Sequence, residues 1–197
     1  MKLGPIVLQG PGVRLEPLAL SHADSLLTAA SDSEVWQWMP ARIGSREDLE
    51  RWINEALAAQ AAGSEYAFAV VDERSGKAIG STRYMDVSEA HRGVEVGWTW
   101  YARESWGSTV NPTCKYLLLT HAFEDWGAIR LYLKTDSLNA RSRAAIVKLG
   151  ARHEGDLRNH RVRPDGSYRH SSYYSILDSE WPEVKERLWA RIKPGRE

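Results

Sequence analysis

The stretch "ESWGSTVNPTCKYLLLTHAFEDW", Glu104 to Trp126, passes from small polar residues into a helix at a sharp boundary. Asn111 followed by Pro112 reads as a helix start, since asparagine caps free amides and proline at the first position gives up a donor that would be orphaned anyway. From there Cys114, Leu118, Ala122 and Trp126 recur four apart, with Leu119 and Phe123 beside them, which predicts a strongly amphipathic helix. Its free N–H groups point back toward the loop. Together with the amides of Trp106, Gly107, Ser108, Thr109 and Val110 they suit an anion, and the small side chains let a diphosphate approach the positive end of the helix dipole. The same residues also read as a well-capped connection and nothing more, so the stretch needs support from its neighbours.

Upstream, "VRLEPL" (Val13 to Leu18) alternates as a strand, and Ser21 with Asp24 gives a capping pattern before a first helix. Ser45 with Asp48 repeats it before Leu49, Trp52, Ile53, Ala56 and Leu57 at helical spacing. "YAFAVVD", the turn "ERSGK" and "AIGSTRYMDV" predict a hairpin, and "GVEVGWTWYA" a further strand. Gly97 inside that strand marks a bulge or a close approach to the backbone. Downstream, "AIRLYLKT" alternates as a strand, and "NARSRAAIVKLG" is a helix capped by Asn139 and stopped by Gly150. "HRVRPDGSYRHSSYYSIL" is a hairpin about Asp165 and Gly166, and Trp181, Val184, Leu188 and Ile192 form the stripe of a last helix. The order β α α β β β α β α β β α predicts an α+β fold, a mixed sheet covered by helices in three layers.

The 197 residues suit one domain spanning 1–197, with a core over about 13–177 and a C-terminal helix over about 179–193. Lys plus Arg and Asp plus Glu both number 26, so no global field attracts nucleic acid or an anionic membrane. One cysteine excludes an internal disulfide framework, no apolar run is long enough to span a bilayer, and the start "MKLGPIVLQGPG" lacks a signal-peptide core. A cytoplasmic protein is expected, with a frayed "KPGRE" end. Cys114 falls on the apolar stripe and reads as core, so covalent catalysis is not expected. The histidines show no pair at metal spacing on a predicted helix, and no metal is expected. In the Asn139 helix, Ser142 interrupts the stripe of Ala145, Ile146 and Leu149, so two polar groups face the same side as the apolar residues.

The order of elements, the run from Trp106 to Ala151 and the closing "YYSILDSEWP" resemble the GNAT superfamily of acetyl-CoA-dependent N-acetyltransferases, most of all the branch containing the RimJ/RimL-type ribosomal-protein N-terminal acetyltransferases. The likeness runs from Val13 to about Ile192. It implies a mostly antiparallel sheet with helices on both faces, acetyl-CoA as co-substrate, and a primary amine as acceptor, either a protein N-terminus or a small molecule. By resemblance Trp98, Thr99, Trp100 and Tyr101 would meet the pantetheine arm, and Trp106 to Pro112, with Asn139 and Ser142, the rest of the cofactor. The family's small loop positions are here Thr109 and Asn111, and Ile146 stands where many relatives carry a tyrosine acid.

Direct transfer needs a neutral amine, a polarised carbonyl and a hydrogen bond to the departing thiolate. Glu95 is the first candidate base, with Asp86 and Glu89 as rivals, and Ser142 is the candidate donor to the thiolate, as the Rim-type relatives imply. The family likeness places Trp36, Trp38 and Met39 on the acceptor wall. The basic excess between Arg141 and Arg169 suits the CoA 3′-phosphate, a negatively charged partner, or plain solvent. A monomer or homodimer is expected. A degenerate fold that only binds CoA or a protein, and an RNA-binding module, are the competing readings; balanced charge counts against the last.

Overall fold

The computed structural model describes residues 4–163 and 165–193; residues 194–197, within the tail expected to fray, lie outside it. The chain runs β1 (Leu8–Gly10), β2 (Val13–Pro17), α1 (Ala23–Ala29), α2 (Arg46–Ala61), β3 (Glu65–Asp72), β4 (Ala78–Ser88), β5 (Gly93–Tyr101), α3 (Val110–Thr120), β6 (Arg130–Asp136), α4 (Ala140–Leu149), β7 (Arg152–Val162), β8 (Tyr168–Leu177) and α5 (Trp181–Ile192). This is the expected order with a short strand added in front. The eight strands lie in the order β1-β2-β3-β4-β5-β6-β8-β7, all antiparallel except for the parallel pair β5 and β6.

Two cores flank the sheet. On one face Phe68, Val70, Val94, Val96 and Leu131 pack under α3, α4 and α5 through Leu118, Ile146 and Leu188. On the other, Ala67, Ala69 and Trp100 pack under α1 and α2 through Leu26, Leu49 and Ile53. Both faces are therefore apolar and covered, which gives the expected three layers. Among the described residues no helix is long and apolar enough to cross a membrane.

Local signals hold where a side chain meets a free amide. Ser45 accepts from the Asp48 amide at 3.2 Å and starts α2, and Asn139 accepts from the Ser142 amide at 3.0 Å and starts α4. Gly150 ends α4 at φ 112°, where an added Cβ would lie 2.9 Å from Val184 of α5. The Ser21 cap is corrected by the structure. A 3-10 turn over Leu20–His22 leads into α1, and His22 Nδ1 accepts from the Ala19 amide at 3.0 Å, so the imidazole occupies the capping role.

The centre of the sheet carries a bulge. Arg83 pairs with Gly97 and Ser81 with Trp100, leaving Trp98 and Thr99 against the single Thr82. Trp98 sits at φ 47°, a conformation that costs a bulky residue about 1–2 kcal/mol. The Arg83 guanidinium, 5% exposed, holds it there: it lies 4.9 Å from the Trp98 ring centre, 4.6 Å from that of Trp52, and pairs with Glu65 at 2.8 Å. Removing one partner of a buried ion pair strands the other, so Arg83→Ala should lower unfolding free energy by about 3 kcal/mol in urea titration. Arg83→Lys should recover only part of that, because an ammonium lacks the planar stack. A loss below about 1 kcal/mol for Arg83→Ala would show that the bulge is held by something else.

Candidate active site

The bulge ends the pairing of the two central parallel strands. β5 and β6 are in register only over Gly93–Glu95 with Arg130–Tyr132, and beyond Glu95 they part. A cavity of about 770 Å³ fills the opening, within the range of cofactor and ligand sites. Its walls are β5 from Glu95 to Tyr101, β6 from Leu133 to Asp136, the inner faces of α3 and α4, the segment 37–40, and the distal β7–β8 hairpin.

At one end lies the loop that opens the sequence reading. The amides of Gly107, Ser108, Thr109 and Asn111 have no hydrogen-bond partner among the described residues, and Gly107 takes φ 77°, which turns the chain there. This is a donor set that fits a diphosphate. The helix start differs from the expected one: α3 begins at Val110, flanked by Thr109 without a side-chain cap, and Asn111 and Pro112 stand at its second and third positions. Asn111 Oδ1 instead accepts from the Tyr101 hydroxyl at 3.2 Å, and proline costs no bond at the third position, because the first intrahelical bond runs from the Thr113 amide to the Thr109 carbonyl at 2.9 Å. The Val110 amide donates to Ser108 Oγ at 3.2 Å. Trp106 and Gly107 line the cavity with Asn111, while Ser108 and Thr109 are exposed at its mouth, Val110 is half-buried beside them and Pro112 is buried. The guanidinium of Arg141 stacks 3.4 Å from the Trp106 ring centre and that of Arg103 4.4 Å from it, so two cations flank the loop.

The carboxylates separate clearly. Glu95 lines the cavity, 3% exposed, with Oε2 accepting from Lys134 Nζ at 2.6 Å. Gly97 makes room for it, since an added Cβ would lie 3.0 Å from Glu95 Oε1 and 2.8 Å from Met85 Sδ. The glycine expected at the bulge is thus a close-approach glycine, and the bulge residue is Trp98 beside it. Asp86 and Glu89 are exposed and do not line the cavity. Asp86 nonetheless accepts from the Tyr132 hydroxyl, and Tyr132 is the register partner of Glu95. Burial and the carboxylates of Asp86 and Glu95 push the Tyr132 phenol well above its ordinary range, so it stays a donor.

Ser142 lines the opposite wall, with its hydroxyl unpartnered among the described residues, and Asn139 stands one turn before it. Thr99, Trp100 and Tyr101 line the mouth with Trp98. Trp38 and Met39 do face the cavity. Trp36 does not: its Nε1 donates to the Ala30 carbonyl at 2.8 Å and its ring packs 5.0 Å from Trp100, because two large indoles fill the core under α1 and α2. Cys114 is fully buried, and burial pushes its thiol up to about 12, as befits a core residue.

Lys115 is one residue that sequence reading missed, with Lys134, Tyr132 and Arg103. It is 5% exposed on α3, lines the cavity, and donates from Nζ to Thr99 Oγ1 at 2.8 Å, and Thr99 in turn meets Thr82 Oγ1 at 2.8 Å. No carboxylate pairs with it among the described residues, and burial pulls its pKa down to about 8. A signal was present: the positions three and four away on its helix, Asn111, Pro112, Leu118 and Leu119, offer no acid.

Comparison with known proteins agrees in family and fold. Residues 13–152 match the acetyltransferase (GNAT) domain. The Bacillus subtilis (strain 168) protein YdaF, provisionally named a ribosomal N-acetyltransferase, is 28% identical over 110 residues, 56% of this chain and 59% of its own length, so the match spans well under two thirds of that relative. A crystal structure of a provisionally named acetyltransferase from T. thermophilus is 36% identical, with a TM-score of 0.88 over 98% of this chain and 100% of that one. RimJ from Mycobacterium smegmatis, solved in complex with CoA-disulfide, shares the fold at 22% identity, with a TM-score of 0.77 over 94% and 93% of the two chains.

The buried lysine makes a prediction with a definite sign. Its folded pKa of about 8 lies below the ordinary 10.5, so between those values the unfolded chain holds more protons and stability rises with pH. Below pH 8 the full cost of burying the charge is present, roughly 3 kcal/mol for a shift of this size. Lys115→Met should therefore be the more stable protein at pH 7, with the difference shrinking toward pH 10 in parallel urea titrations. A difference independent of pH would mean that the ammonium is solvated or paired.

Proposed function

The chain belongs to the GNAT acetyltransferase family, and from that premise we propose that this N-acetyltransferase moves an acetyl group directly from acetyl-CoA to a primary amine, without a covalent enzyme intermediate. One observation carries the reading: the parting of β5 and β6 opens a cavity with unpartnered amides at one end and a buried carboxylate along its wall. Acetyl-CoA, when bound, supplies a thioester whose carbonyl carbon the amine attacks with release of the CoA thiol.

The chain's own groups divide the remaining work. The amides of Gly107, Ser108, Thr109 and Asn111 would hold the pyrophosphate, with Arg141 and Arg103 close by for further phosphate charge. Backbone groups of Trp98 to Tyr101 would position the arm and polarise the carbonyl. Glu95 would take the amine's proton through a water at Oε1, the oxygen not held by Lys134, and Tyr132 and Asp86 extend from it toward solvent. Ser142 would donate to the departing sulfur in place of the tyrosine that Ile146 replaces. Trp38 and Met39 would face the acceptor. The name of YdaF, provisionally a ribosomal N-acetyltransferase, supports a ribosomal acceptor, which we take to be a protein amino terminus, and the single buried cysteine supports a cytoplasmic setting. The open amides count against a degenerate fold that only docks a partner, because such a loop would be free to close on itself.

A thiol-release assay with acetyl-CoA and a panel of amines tests this. Glu95→Gln should lower turnover most at neutral pH and recover partly as pH rises, since more amine then arrives deprotonated. Ser142→Ala should lower turnover by about 10²-fold or less with the pH profile unchanged. Full activity of Glu95→Gln at every pH, with loss in Asp86→Asn, would move the base to Asp86.

A further inference from the structure

The cations of the cavity wall are not all accounted for. Lys134 is held by Glu95, and Arg163 grips Asp136 with two bonds, Nε to Oδ2 at 2.8 Å and Nη2 to Oδ1 at 3.0 Å. Arg161 and Arg169 have no acid partner among the described residues. They stand directly opposite each other across β7 and β8, and both line the cavity. Arg169 Nε is buried with no hydrogen-bond partner. Like charges placed directly opposite on an antiparallel pair repel, and the nearby carboxylate of Asp136, whose charge favours the Arg169 cation, is itself gripped by Arg163. An anion between the two guanidiniums would offset that repulsion.

We propose that Arg161 and Arg169 form a binding site for an anionic group, carboxylate or phosphate, carried by the acceptor amine. The proposal rests on the acetyl-transfer reading for the position of the amine. Arg169 lies four residues along β8 from Tyr173, the register partner of Lys134, which in turn holds Glu95. At about 3.3 Å per residue that is roughly 13 Å between backbone positions. Both Arg169 and Glu95 line the same cavity along that span. An amine beside Glu95 would thus present its anion about two to four extended residues away, the spacing of a peptide amino terminus with an acidic residue near its start. The 3′-phosphate of CoA is the other source of an anion, but Arg141 and Arg103 already flank the loop at the far end.

The test compares two matched probes, the peptide amides Ala-Ala-Glu-Ala and Ala-Ala-Gln-Ala, on the full chain and on Arg161→Gln, Arg169→Gln and the double variant. One charged contact should favour the acidic peptide by about tenfold or more in kcat/KM for the natural chain, and the double variant should bring the two peptides within about twofold. Activity on the neutral peptide and KM for acetyl-CoA should not change. Affinity for the two peptides, measured by tryptophan fluorescence with CoA saturating, gives the same preference without turnover. A tighter acidic peptide with no transfer to either would support the anion site while defeating the acetyl-transfer reading. Equal affinities would overturn the site. So would a preference that survives in the double variant, or a loss confined to acetyl-CoA over its 3′-dephospho form, which would give the arginines to the cofactor.

Discussion

Strand β5 carries one residue too many for its neighbour, and much of the site follows from where that residue is placed. Up to Glu95 the strand pairs with β6, and its Val94 and Val96 feed the core under α3 and α5. After the bulge at Trp98 and Thr99 the alternation is reset, so Trp100 enters the core under α1 and α2 and Tyr101 returns to the first. The strand also leaves β6, and the gap between them becomes the cavity. Trp98 would not adopt φ 47° on local preference; it does so because Arg83 from β4 is clamped between its ring and that of Trp52 from α2, with Glu65 neutralising the guanidinium. A tertiary sandwich thus holds open the place where the chemistry is proposed.

Charge is arranged at the same scale. The chain as a whole balances 26 basic against 26 acidic residues, yet Lys115, Lys134, Arg141, Arg161, Arg163 and Arg169 face the cavity with only Glu65, Glu95 and Asp136 against them. Such a pocket attracts anions with no long-range field to draw nucleic acid or membrane. The cations are also graded. Lys134 and Arg163 are tied to carboxylates, Arg141 is stacked on an indole, and Lys115 is buried with a threonine hydroxyl accepting its hydrogen bond. Buried, unpaired cations carry a stability cost that a purely structural cavity would have no reason to keep.

The fold was legible because its elements obey local rules: alternation in β3 and β5, caps at Ser45 and Asn139, a glycine stop at Gly150, and the stripe of Trp181, Val184, Leu188 and Ile192. β1 escaped because three residues make no periodic signal until they pair across the turn with β2. The candidate site was legible where the cavity lining coincides with local punctuation, as at Gly97, Asn139 and the loop glycine Gly107. It was illegible where tertiary packing decides. Nothing local shows that Trp36 turns inward onto Trp100, or that Trp98 and not Gly97 takes the left-handed conformation. The facing of Arg161 and Arg169 depends on a register shift between Leu157 and Arg161, which turn residues do not announce.

The central claim is that the gap between β5 and β6 is the acetyl-CoA groove, and backbone hydrogen exchange with and without CoA tests it most directly. The account predicts protection confined to the amides of Trp98 to Tyr101 on β5 and of Gly107, Ser108, Thr109 and Asn111 at the start of α3, growing with CoA concentration to saturation. Protection elsewhere with these amides unchanged, or no protection at saturating CoA, would contradict it.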